Sequence, residues 1–185
     1  FCGDATETTA HFSLVCPQFA DARTAAHDAT WGATWKVITE HKQPDWVGIH
    51  DTPMSHSPLE VDPVWSERRP DGILLNEKRG QIILLEFTRC AGHTLAEVQA
   101  AQKAKEDKYQ DLAANIAALN RRKYPQGVRI SALACSFTGT IDEQHWKEEL
   151  EEFMKAGEGR LQAAEKAMEA TVQAALEAFS DMADL

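Results

Sequence analysis

Residues 69–89, RPDGILLNEKRGQIILLEFTR, hold the pattern on which the fold turns. Two apolar runs flank a short polar turn, with Asp71 beside Pro70 in the first and Glu86 inside the second. A carboxylate flanked by Leu84, Leu85 and Phe87 is costly to bury in ionised form without a partner. Two such groups on one hairpin point to a shared cation.

The register follows from the turn. Four residues, Glu77, Lys78, Arg79 and Gly80, pair Asn76 with Gln81, and counting back sets Asp71 opposite Glu86. Directly opposed residues hold their Cβ atoms roughly 4.5–5.5 Å apart, where like charges repel. A divalent ion between them removes that repulsion, and oxygen-only ligation suits Mg²⁺. A slip of one residue would send the two carboxylates to opposite faces. The plainer alternative is a solvated Asp at a strand end and a Glu paired to a buried Arg.

Length and charge set the bounds. The 185 residues predict one domain with at most a small appendage, and a core of that size needs no disulfides. No stretch approaches the roughly 20 apolar residues of a membrane span, and the first residues do not resemble a signal peptide. Four cysteines make no disulfide scaffold, so a reducing, intracellular setting is expected. A net charge of −10 argues against a simple nucleic-acid-binding domain, but the charge is uneven. Residues 62–130 carry +3, whereas residues 1–61 carry −5 and residues 141–185 carry −8. The positive part coincides with the carboxylate hairpin, which permits a phosphate-bearing substrate.

Ahead of the hairpin, Cys2, His11 and Cys16 are spaced C-x8-H-x4-C. Structural zinc takes four N/S ligands, so this set is one short; the alternative is two buried thiols and a surface histidine. Pro17 then opens a helix at a position where its missing N–H costs nothing, and helical spacing carries on to about His41. Arg23 and His27, at i and i+4, share a face of it. Residues 42–66, with four prolines, read as a long irregular connection.

Behind the hairpin, Thr94-Leu95-Ala96-Glu97 matches a capping box and predicts a helix to about Lys123. Its apolar stripe is Val98, Ala101, Leu112, Ile116 and Leu119, with Tyr109 alongside. Lys105 falls mid-stripe and Lys108 at its edge, an unexpected place for a lysine on a face to be buried. Either Lys105 snorkels to solvent, or its ammonium points at the two carboxylates or at a phosphate beside them. Residues 128–137 read as a third strand, with Cys90 and Cys135 as core thiols. From Asp142 to about Phe179 the chain is helical by composition, with a break at Gly157 and Gly159. That end packs on the domain, binds a partner helix or stays loosely attached.

The order helix, hairpin with Pro-Asp and Glu, basic helix, strand resembles the PD-(D/E)xK restriction-endonuclease-like core, an α/β fold. More closely, residues 1 to about 136 resemble the C-terminal region of non-LTR retrotransposon proteins of the restriction-like-endonuclease type. Cys2, His11, Cys16 and Pro17 are similar to the end of that family's CCHC zinc motif, and Arg23 with His27 to the Arg/His helix after it. Arg69-Pro70-Asp71 and Glu86-Phe87-Thr88 resemble the catalytic hairpin. Lys105-Glu106-Asp107-Lys108-Tyr109 resembles the K-x-x-K-Y helix. Two departures stand out. Thr88 occupies the usual lysine position, with Arg89 facing the other side of the strand, and the first zinc cysteine is missing, as in a piece cut from a longer polyprotein.

The resemblance implies a partial zinc motif over residues 1–16, a nuclease core over 17–140 and an acidic helical extension over 141–185. It also implies metal-dependent hydrolysis of DNA, nicking a target to prime reverse transcription. Asp71 and Glu86 would hold Mg²⁺ or Mn²⁺ with a backbone carbonyl near Phe87, and Glu40 and Glu67 are candidates for a third acidic ligand. Lys105, or second Lys108, would take the catalytic lysine's part. Arg68, Arg69, Tyr109, Arg23 and His27 would meet the substrate, and Cys2, His11 and Cys16 would hold Zn²⁺. Expected partners are DNA, element RNA through the zinc motif, and the reverse transcriptase of the same longer chain, in the nucleus and away from membranes. The rival readings are a decayed nuclease fold that only binds nucleic acid, and a protein-interaction domain built on the acidic C-terminal helices.

Overall fold

The computed structural model describes residues 16–154 and 159–183 of the chain. It is an α/β fold, with four α-helices and a four-stranded mixed sheet among the described residues. A 3₁₀ turn, Pro17–Phe19, leads into α1, Ala20–His41. The strands are β1, Val47–His50, β2, Gly72–Asn76, β3, Gln81–Cys90, and β4, Gly127–Ser136. Helix α2, Leu95–Leu119, joins β3 to β4, and α3, Glu143–Glu151, and α4, Gly159–Ala183, follow.

The spatial order is β1-β2-β3-β4, antiparallel except for the β3–β4 pair. The hairpin has the register expected from its turn: Asn76 pairs with Gln81 and Gly72 with Leu85. Gly80 takes a positive φ of 66° to close it, a conformation glycine adopts without strain. Parallel neighbours need a crossover, and α2 supplies it. Its start is the capping box: the Thr94 hydroxyl accepts from the Glu97 N–H, and the Glu97 carboxylate accepts from the Thr94 N–H.

Strand β3 is apolar on both faces because both faces are covered. Ile82 and Leu84, with Ile73 and Leu75 of β2, pack on Leu112, Ile116 and Tyr109 of α2. Ile83, Leu85 and Phe87 pack on Trp31, Trp35 and Ile38 of α1, together with Trp146, Leu150, Ala164 and Met168. The C-terminal helices therefore belong to the main core. Helix α4 lies along α1, where small residues allow close approach and Thr34 meets Thr171 hydroxyl to hydroxyl at 2.6 Å.

Three expectations need correction. Residues 42–66 are not wholly irregular, because Val47–His50 adds an edge strand and Met54–His56 and Pro63–Trp65 form 3₁₀ turns. Four residues were too few for periodicity to register. Helix α2 stops at Leu119 rather than near Lys123, since the Asn120 side chain donates to Ile116 O at 2.9 Å and exchanges two hydrogen bonds with the Glu60 backbone. Leu119 consequently leaves the stripe and is exposed.

An aromatic slab fixes where β2 begins. Trp31 stacks on Phe87 with ring centroids 5.8 Å apart, and Trp35 stacks on His50 at 5.3 Å. Gly72 makes room for it, since a Cβ there would lie 2.6 Å from Trp35 Cζ3. Gly72→Ala is expected to cost about 1–3 kcal/mol through overpacking. Thermal melts should show a fall of roughly 2–12 °C for a chain of this size, and an unchanged melting temperature would contradict the packing described.

Candidate active site

Asp71 stands immediately before β2 and Glu86 lies within β3, and both face α2. The Asp71 backbone is pinned by the Trp31 indole, whose Nε1–H donates to Asp71 O at 2.7 Å. Its side chain is held by the Phe87 N–H, which donates to Oδ2 at 2.7 Å. Glu86 is fully buried. From α2, the Lys105 ammonium reaches over both, 3.1 Å from Glu86 Oε2 and 3.4 Å from Asp71 Oδ2.

Burial pushes the Glu86 carboxyl up to about 8, reinforced by the Asp71 charge and opposed by Lys105. Its Oε1 is buried and takes no hydrogen bond from the described residues. The Tyr109 hydroxyl is near the Glu86 carboxyl; burial and the two carboxylates drive that phenol well above its ordinary range, so it holds its proton. The Lys105 and Lys108 ammonium groups lie 5.9 and 5.1 Å from the Tyr109 ring centroid. Arg68, lying over Trp65, is close enough to offset part of the shift on Tyr109. From α1, His27 Nε2 lies 3.3 Å from Phe87 O and 3.8 Å from Asp71 Oδ2, so it braces the backbone between the carboxylates.

The site thus gathers Asp71, Glu86, Lys105, Tyr109 and His27, with Arg68 at its margin. Other expected members lie elsewhere. Lys108 is exposed, with its ammonium against the Tyr109 ring and no ion pair to either carboxylate among the described residues. Arg69 is taken by Asp51, 2.7 Å from its carboxylate, and Arg23 donates to Cys16 O. Cys16 is buried as a free thiol, whereas Cys2 and His11 lie outside the described residues. Glu86 pairs with Lys105 rather than with a buried arginine. Arg89 does face the far side, with its guanidinium 4.5 Å over the Phe137 ring.

Two residues were missed. The buried Trp31 indole N–H needs an acceptor, but nothing in the helical spacing names Asp71 O. Gln102, one turn before Lys105, is buried with its Nε2 unpartnered among the described residues. Its polar side chain within the stripe was the available signal.

The donor set suits a hard divalent cation. Asp71, Glu86 and the Phe87 carbonyl offer oxygen alone, and Glu86 Oε1, without a partner among the described residues, is an acceptor open to a ligand. Neither Glu40 nor Glu67 joins them: among the described residues no three His, Cys, Asp or Glu side chains cluster as a metal set. No described helix is long and apolar enough to cross a membrane. No protein-family model and no curated protein matches the chain.

Proposed function

We propose that the chain is a metal-dependent DNA endonuclease with a PD-(D/E)xK core, from the restriction-like end of a non-LTR retrotransposon protein. The observation that carries this reading is the Lys105 ammonium lying 3.1 and 3.4 Å from two carboxylates on adjacent strands. A lysine brought from the helix replaces the one missing at Thr88, so the departure from the motif keeps the same charges in one place.

Asp71, Glu86 and the Phe87 carbonyl would hold Mg²⁺ or Mn²⁺, which supplies Lewis-acid polarisation of the scissile phosphate and of an attacking water. Lys105 holds a proton at Nζ, where it orients the water and stabilises the charge growing on the phosphate oxygens. Arg68 meets a flanking phosphate, and Tyr109, near the Glu86 carboxyl, keeps its hydroxyl proton. Trp31 and His27 act through the backbone at Asp71 and Phe87. The biological act is nicking of target DNA to prime reverse transcription by another part of the same longer chain.

Supercoiled plasmid with Mn²⁺ tests the reading. The wild-type chain is expected to yield open circles, whereas Asp71→Ala leaves the plasmid supercoiled with its circular dichroism unchanged. Full nicking by Asp71→Ala would end the proposal. DNA binding without nicking by the wild type would make the chain a binding module instead.

A further inference from the structure

A second feature lies on the other side of the sheet. Between α4, α3 and the turn before α3 runs a cleft of about 540 Å³. Ile141, Met168 and Val172 line it, and Leu176, one turn further along α4, is 43% exposed. Met168, Val172 and Leu176 recur at four-residue spacing, so they form one apolar stripe along α4. Glu143, Glu165 and Glu169 edge the cleft. Lys147, the one lysine among its described lining residues, is shared between two of them, 3.8 Å from Glu143 and 3.9 Å from Glu165. The rim is net negative, within a segment, residues 141–185, that carries −8.

We infer that this cleft is a docking groove for a basic amphipathic helix of another polypeptide. Apolar side chains on one face of such a helix enter between α3 and α4, and its Lys or Arg residues meet Glu143, Glu165 and Glu169. Helix-in-groove recognition uses anchors at this spacing. A flexible methionine in the floor adapts to their shapes. The negative rim rejects nucleic-acid phosphates and anionic lipid and complements a basic helix, whose apolar face the stripe along α4 matches in length. Glu165 to Leu176 spans about 17 Å at 1.5 Å per residue, room for roughly three turns. The groove is on the face opposite Asp71, Glu86 and Lys105, so a docked helix leaves the carboxylate site open.

The test uses a labelled Leu/Lys peptide of about fourteen residues with leucines at four-residue spacing, titrated with the whole chain by fluorescence anisotropy. Binding is expected to weaken with salt. It should weaken by about tenfold or more in Glu165→Lys/Glu169→Lys, and similarly in Leu176→Glu, a second variant at an exposed position. Glu60→Lys/Asp111→Lys makes the same change in net charge at exposed residues outside the cleft lining and should bind as wild type. An equal loss in that control would reduce the effect to bulk charge and overturn the inference. So would absence of binding, or equal binding of a Leu/Glu peptide. Sedimentation showing a dimer that Leu176→Glu dissolves would assign the cleft to a second copy and likewise overturn it. Asp71→Ala should bind the peptide normally, so this result stands apart from the nuclease reading.

Discussion

Glu86→Gln is expected to abolish Mn²⁺-dependent nicking and, in metal-free buffer at pH 8 and above, to melt at a higher temperature than the wild type. Both effects come from burying a carboxylate whose Oε1 has no partner among the described residues. Its folded-state pKa is raised to about 8 from the ordinary 4.5. Between those values the folded chain keeps a proton that the unfolded chain has released. Stability therefore falls as pH climbs through that window and stays low above it. The cost at pH 8 is of the order of a few kcal/mol, which corresponds to roughly 5–10 °C in a chain of this size. A neutral amide of the same shape escapes that cost and still offers its carbonyl to Lys105. Near pH 4 the two proteins should melt together. Mg²⁺ should raise the wild-type melting temperature and leave the variant unmoved, since only a chain that binds the ion gains by mass action. Nicking should drop by roughly a thousandfold or more. A variant that melts below the wild type at pH 8, or that still nicks, contradicts this account of Glu86.

The hairpin and its register were legible in the sequence because a short glycine-ended turn and a period of two leave little freedom: Asn76 opposite Gln81 fixes every later pair. Lys105 was legible for a related reason, since a charge in the middle of an apolar helical stripe has to be answered by something. Tertiary contacts decided the rest. Asp51 lies in a loop with a positive φ of 42° and captures Arg69, a pairing that no local pattern announces. Lys105 and Lys108 are only three residues apart, yet one reaches the carboxylates and the other is exposed against the Tyr109 ring. Helical phase separates them by about 60°, and only the position of β3 determines which lysine that angle favours. The role of Trp31 lies in its N–H, whereas helical spacing reports only its apolar ring.

Lys105→Met should lower nicking by roughly 10²–10³-fold, and the pH dependence of the loss separates two roles for the lysine. Methionine keeps much of the packing of the lysine stem and removes only the charge. In the wild type the Lys105 charge draws the Glu86 pKa down against burial and Asp71, so without it that pKa should move above about 8. Mg²⁺ competes with the Glu86 proton, so affinity should rise about tenfold per pH unit until the carboxyl ionises and then level off. Calorimetry in two buffers of different ionisation enthalpy should count about one proton released per ion at pH 7. The levelling point should lie near pH 8 in the wild type and higher in Lys105→Met. If Lys105 served only to ready Glu86, saturating Mn²⁺ at high pH would restore the variant fully. The ammonium also lies 3.4 Å from Asp71, so in the proposed mechanism it reaches a phosphate held at the two carboxylates. A large deficit is therefore expected to survive at every pH, and full recovery would remove Lys105 from direct contact with the substrate.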